Sequence, residues 1–218
     1  MMTLSTSRSQ SPPFLVFEGL DGSGKSTLIR HLTHELTARK LKHVLTREPG
    51  GTTLAEEIRQ LLLRTDGEVP VAATELLLYA ASRAQHVAQV IRPALQRGEW
   101  VLCDRFTGSS VAFQCFGRGL PRASVDWLNT FAVDGAVPSL NILLDLAVSE
   151  SRKRQSHRPE QSDRMERERE EFHQAVREGY LAQANENPTS WLVLDAKKSP
   201  QDLAQQLTEE LTERQWLA

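Results

Sequence analysis

Short apolar runs rich in β-branched and aromatic residues alternate along the chain with stretches whose apolar residues recur at helical spacing. The runs Phe14–Glu18, His43–Thr46, Trp100–Cys103, Leu140–Asp145 and Trp191–Leu194 read as strands. The intervening patterns Lys25–Lys40, Thr53–Arg64, Ala72–Arg97, Arg122–Val133, Glu166–Ala184 and Pro200–Trp216 read as helices. Leu28, Ile29, Leu32 and Leu36 line one face of the first, and Leu203, Leu207, Leu211 and Trp216 line one face of the last. Strands separated by helix-length segments need crossovers. The expected fold class is therefore α/β, a parallel five-stranded sheet flanked by helices. Ligands of such sheets bind beyond the C-terminal strand ends. Ser151–Arg169 stands apart, with Met165 as its only apolar residue, and reads as a solvated helix face or a mobile loop.

The glycine-rich string after the first strand carries the chemistry. Gly19-Leu20-Asp21-Gly22-Ser23-Gly24-Lys25-Ser26, followed by Thr27, fits the phosphate-binding loop, and it sits between a strand and a helix as that loop must. Glycines let backbone N–H groups turn inward around phosphate oxygens, and the helix N-terminus adds partial positive charge. Lys25 is positioned for the β- and γ-phosphates of a nucleotide, and the Ser26 hydroxyl for Mg²⁺. Asp104, at the end of the third strand, is the candidate second holder of that ion. Arg105 beside it offers a planar fork to a phosphate.

Other arginines follow other strands. Arg59 lies in a helix with Glu56 and Glu57, a pattern that a surface ion pair would also give. Tyr79 and Arg83 are four apart on one helix face, and alone they read as a core aromatic and a surface charge. A hydrolase or a switch needs one phosphate site and a water. Several arginines after different strands suggest two phosphorylated ligands facing each other. The Asn-Lys-x-Asp string of guanine-specific switches is absent.

Length and charge narrow the field. The 218 residues suit one core with a small insertion. A net charge of −2 and a pI near 6.3 argue against a nucleic-acid partner. No run has the length of a membrane span, and the polar start of the chain lacks a signal peptide's apolar centre. Residues 1–13 are expected to be a disordered extension and 14–218 a single domain. Cys103 and Cys115 follow no metal spacing and no disulfide framework, which fits a cytoplasmic location.

Taken in order, Gly19–Thr27, Thr46-Arg47-Glu48-Pro49-Gly50-Gly51-Thr52, Tyr79–His86, Asp104-Arg105-Phe106 with Ser109–Gln114, and Gly117-Arg118-Gly119-Leu120 resemble the thymidylate kinase family. The resemblance runs from about Phe14 to the C-terminus. It implies a nucleoside monophosphate kinase fold with a short lid, about residues 151–166. It implies transfer of the γ-phosphoryl of ATP to dTMP with Mg²⁺, and a homodimer. A related kinase acting on another deoxynucleoside or nucleoside monophosphate is the alternative.

Residue by residue, the resemblance gives Gly19, Leu20, Asp21, Gly22, Ser23, Gly24, Lys25, Ser26 and Thr27 to ATP. It gives Asp21, Glu48, Pro49, Arg59, Tyr79, Arg83, Arg105, Ser110 and Gln114 to dTMP, with Tyr79 stacked on thymine. Lys25, Arg105 and Asp21 are the implied catalytic groups. No arginine occurs between Leu20 and Ser23, so the lid is expected to supply one, from Arg158 or Arg164. Arg152 and Arg154 are further candidates there. Tyr79, Phe106, Cys115 and Pro138-Ser139-Leu140 depart from the commoner family residues, and none of these departures removes a phosphate contact.

Overall fold

The computed structural model describes residues 12–156 and 163–217. Five strands, β1 (Phe14–Glu18), β2 (His43–Arg47), β3 (Trp100–Asp104), β4 (Leu140–Asp145) and β5 (Trp191–Asp195), form one sheet. Their order is β2-β3-β1-β4-β5 and every pairing is parallel.

Nine α-helical segments accompany the strands among the described residues: α1 (Lys25–Ala38), α2 (Thr53–Leu63), α3 (Ala72–His86), α4 (Arg92–Gln96), α5 (Thr107–Ser110), α6 (Arg122–Val133), α7 (Val148–Gln155), α8 (Glu170–Glu186) and α9 (Pro200–Glu213). Alternation along β1 splits the core into two layers. Leu15 and Phe17 pack with Leu28, Leu32 and Leu36 of α1 and Leu203, Leu207 and Leu211 of α9. Phe14 and Val16 face the other way, toward Val87, Ile91 and Phe106. Removing one such leucine from water stabilises the fold by roughly 1.5–3 kcal/mol. Cys103 belongs to the second layer, fully buried, and burial pushes its thiol well above the usual range.

The strand register assembles the site. Asp104 lies opposite Phe17 of β1 and Arg47 of β2, so the residues that follow β1, β2 and β3 emerge at one sheet edge.

Three sequence expectations need correction. The segment 72–97 is not one uniform helix: α3 passes through a wider π-helical turn, Val87–Ile91, before α4. Pro93 lacks the N–H that an uninterrupted helix requires. Residues 107–117, without an expected element, are α5 and a second π-helical stretch, Val111–Gly117. Their glycine, serine and β-branched residues are poor helix formers, so packing overrides propensity. The charged segment begins as helix α7 with Arg152, Lys153 and Arg154 exposed, the solvated helix face that is one of its two expected forms. The following helix starts at Glu170, because Asp163 Oδ1 accepts from the N–H groups of Met165 and Glu166 and turns the chain first. Residues 1–11 of the expected N-terminal extension, and 157–162 of the expected lid, lie outside the described residues.

Candidate active site

Two cavities open at the C-terminal sheet edge and share Asp21, Lys25 and Asp104. One, of about 460 Å³, runs along the glycine loop to the segment after β5, with Arg154, Ala196, Lys198 and Pro200 on its far side. The other, of about 150 Å³, is enclosed by Glu48, Pro49, Arg59, Tyr79, Arg83, Arg105, Ser110, Gln114, Asp163 and Met165, among others.

The loop bends through left-handed glycines, with φ of +131° at Gly19, +82° at Gly22 and +102° at Gly24. A Cβ at Gly19 would come within 2.6 Å of the Leu144 carbonyl oxygen, so that position also needs glycine for space. Lys25 opens α1 and is buried; its Nζ donates to the carbonyls of Gly19 (3.0 Å) and Leu20 (3.2 Å) and lies 3.7 Å from Asp21 Oδ1. Burial, with help from the Arg105 charge, lowers the Lys25 ammonium below its ordinary range. The Ser23 hydroxyl and Asp104 Oδ1 are buried without a hydrogen-bond partner. Unpaired buried oxygens are costly, and both of these residues line the loop cavity.

Arg105 lines the second cavity. Its backbone is left-handed (φ +68°), an uncommon conformation for a residue with a Cβ, and one that clusters at functional sites. The side chain donates to Asp21 Oδ1 at 2.8 Å and to the Tyr180 hydroxyl at 2.9 Å, and it lies over the Phe113 ring. Beneath it is Glu18, a fully buried carboxylate. Phe106 N–H, Ser109 N–H, the Ser109 hydroxyl and the Tyr180 hydroxyl all donate to it. Burial nonetheless pushes its carboxyl upward. Sequence reasoning missed Glu18, although a lone charge ending an apolar strand beside the glycine loop was a usable signal.

The second cavity has a rigid polar wall. Arg83, only 2% exposed, donates to Glu48 Oε2 (2.7 Å), Ser110 Oγ (3.0 Å), Asn129 Oδ1 (2.6 Å) and the Phe106 carbonyl (3.0 Å). His86 Nδ1 sits 2.9 Å from Glu48 Oε1, and its Nε2 sits 2.6 Å from Thr46 Oγ1. Asn129 was not legible as a site residue, because its partner lies 46 positions away. Arg59 donates to the Pro49 carbonyl at 3.0 Å; burial, then the neighbouring Arg47, lowers its guanidinium. Desolvation pushes the Tyr79 hydroxyl upward.

The lid expectations divide. α7 closes over the loop: the Ser151 hydroxyl donates to the Asp21 carbonyl (2.6 Å) and Arg154 donates to the carbonyls of Gly22 (3.2 Å) and Ala196 (2.9 Å). Arg152 turns away to the Glu168 carbonyl. Arg158 lies outside the described residues. Arg164, expected near the transferring phosphoryl, lines neither cavity. It pairs with Glu75 at 2.6 Å and donates to the Leu62 carbonyl, because the Asp163 turn directs it toward the end of α2. Of the lid arginines among the described residues, Arg154 is the one lining the loop cavity.

An anion-binding loop and a second arginine-rimmed cavity that meet at Lys25 can hold two phosphorylated ligands end to end. Comparison with known proteins identifies the family. The family model described as thymidylate kinase matches residues 17–207. The thymidylate kinase of Bdellovibrio bacteriovorus is 53% identical over 208 residues, covering 94% of this chain and 97% of that protein. That of Chromohalobacter salexigens is 46% identical over 202 residues, covering 92% and 95%. With its parallel sheet, its phosphate loop and its paired cavities, the chain belongs to the thymidylate kinase family.

Proposed function

We propose that the loop cavity holds ATP and the arginine-rimmed cavity holds dTMP, with the two phosphate ends meeting at Lys25. As a thymidylate kinase, the chain transfers the γ-phosphoryl group of ATP to dTMP, giving dTDP and ADP for nucleotide biosynthesis. The observation that carries the site assignment is the pair of cavities sharing Asp21, Lys25 and Asp104.

The backbone N–H groups of residues 19–27 and the Lys25 ammonium bind the ATP phosphates and offset the charge that develops on transfer. Adenine extends toward Ala196 and Lys198, beside Arg154. Arg59 and Arg105 grip the dTMP phosphate, and Asp21 holds Arg105 in line. Tyr79 stacks on thymine, while Arg83, Ser110 and Gln114 face its polar edge, and Glu48 and Pro49 close the nucleoside pocket. Arg154, already over the loop, supplies the lid charge and helps exclude water.

The residues present fit a Mg²⁺ ion. Asp104 offers a buried oxygen without a partner, Ser26 offers a hydroxyl, and both are hard donors of the kind this cation takes beside substrate phosphates. Among the described residues no group of three or more His, Cys, Asp or Glu side chains could hold a metal without such phosphates. An ion held there would supply positive charge to offset that of the nucleotide phosphates.

We further propose a homodimer and a single kinase domain over 14–218, with the lid at about 151–166. The dimer is supported by exposed Trp127 and Phe131 on α6, stacked with ring centroids 5.8 Å apart, and by exposed Leu77 on the neighbouring α3. No described helix is long and apolar enough to cross a membrane, and both cysteines are free thiols, in keeping with the cytoplasm. The test is ADP release from Mg-ATP with a panel of monophosphates and nucleosides. The expected result is turnover with dTMP well above that with dCMP, dGMP, AMP or thymidine; equal turnover across the panel would sink the pocket assignment.

A further inference from the structure

Glu75 lies one helical turn before Tyr79 on α3 and is fully buried. Four donors converge on it. Oε1 accepts from Gln114 Nε2 (3.2 Å) and Arg118 Nε (3.1 Å), and Oε2 accepts from Arg118 (3.2 Å) and Arg164 (2.6 Å). Burial pushes this carboxyl up, but Arg118 and Arg164 outweigh it and hold the group ionised. Arg118 is balanced in turn by Glu168 at 2.7 Å. Replacing a buried ion cluster by apolar side chains is often neutral or stabilising, so stability alone is a weak reason for four charges beside the acceptor cavity.

An ionised carboxylate only accepts hydrogen bonds. It therefore fixes which end of the Gln114 amide faces it: the NH₂ must, because the carbonyl oxygen would be repelled. That leaves the Gln114 carbonyl oxygen as the end offered to a ligand in the cavity that Gln114 lines. Thymine and uracil carry a donor at N3, whereas cytosine carries an acceptor there.

We propose that Glu75 is a positioning residue that sets the polarity of Gln114, so that the pocket accepts bases with an N3 hydrogen and rejects cytosine. This rests on the assignment of the arginine-rimmed cavity to dTMP. Glu75 touches no substrate in this account and acts only through the glutamine.

The test compares kcat/KM for dTMP, dUMP and dCMP in the wild type, Glu75→Gln and Tyr79→Ala. Glu75→Gln keeps the shape but presents either an oxygen or an amide, so the lock on Gln114 is lost. The expected result is a fall of at least tenfold in the dTMP:dCMP ratio, with the dTMP:dUMP ratio unchanged, since both of those bases have the N3 hydrogen. A lower melting temperature with an unchanged dTMP:dCMP ratio would mean a purely structural role and overturn the proposal. So would an equal fall in both ratios, which signals general loosening. Tyr79→Ala separates the two readings: it should raise KM for dTMP whatever Glu75 does, and if it does not, the cavity assignment itself fails and this proposal with it. Should Glu75→Gln not fold, Glu75→Asp decides. The shorter carboxylate keeps its charge but withdraws from Gln114, and the same loss of ratio is expected; an unchanged ratio overturns the proposal.

Discussion

Arg105 and Asp21 form an ion pair of 2.8 Å that joins the arginine-rimmed cavity to the glycine-rich loop. The pair is well braced. Tyr180 and Ser109 hold the guanidinium from the other side, and both also bond Glu18 below. A planar fork held this firmly meets a phosphate without reorganising, which is the condition for effective charge stabilisation.

Arg105→Ala should therefore lower kcat by about 10²–10³-fold and raise KM for dTMP, while leaving KM for ATP nearly unchanged. Arg105→Lys should rescue little, because an ammonium cannot reproduce two parallel bonds to phosphate. Steady-state kinetics with each substrate varied in turn checks this. An effect on ATP alone would mean that Arg105 serves the other phosphate.

Lys25 carries a pH signature. Burial lowers its ammonium in the free protein, so part of the population loses its proton as pH rises toward the usual lysine range. Triphosphate charge favours the protonated form and raises the group again. Between the two values, ATP binding takes up protons and the affinity falls as pH rises. Calorimetry in buffers of differing ionisation enthalpy should detect the uptake in the wild type and lose it in Lys25→Met. Equal uptake in both proteins would place the titrating group elsewhere.

Arg154 and Arg152 are two residues apart on α7 and point differently. Arg154→Ala should cut kcat by roughly 10–10²-fold, as expected when one charge-stabilising donor at the phosphoryl group is lost. Arg152→Ala should change kcat by less than about threefold, as an exposed contact does. Single-turnover rates at saturating substrate would read the difference, and equal losses would remove Arg154 from the transfer step.

Trp127→Glu places a charge in the exposed aromatic stack with Phe131. Sedimentation velocity should show a wild-type dimer and a folded monomeric variant, because the tryptophan contributes little to its own subunit's core. A variant that stays dimeric would move the interface elsewhere.

The sequence yielded the sheet because each strand is a short apolar run with polar flanks, and β1 and β4 match their expected bounds at Phe14–Glu18 and Leu140–Asp145. It yielded the loop because Gly19–Ser26 is contiguous. What escaped is non-local. Glu18, Glu75 and Asn129 acquire meaning only from partners between 22 and 162 positions away. The helical stretch 107–117 escaped because its residues favour other conformations and are held by packing against α8. Arg164 fits the lid motif as a string, yet its direction depends on the turn made by Asp163, which spacing does not reveal.

The most direct test of two facing nucleotide sites uses adenosine and thymidine joined through a five-phosphate bridge. The expected result is inhibition competitive against both ATP and dTMP, with affinity well above that of either nucleotide alone, because one molecule fills both cavities across Lys25. Competition against ATP only, with dTMP unaffected, would contradict the account by showing that the arginine-rimmed cavity does not continue from the phosphate loop.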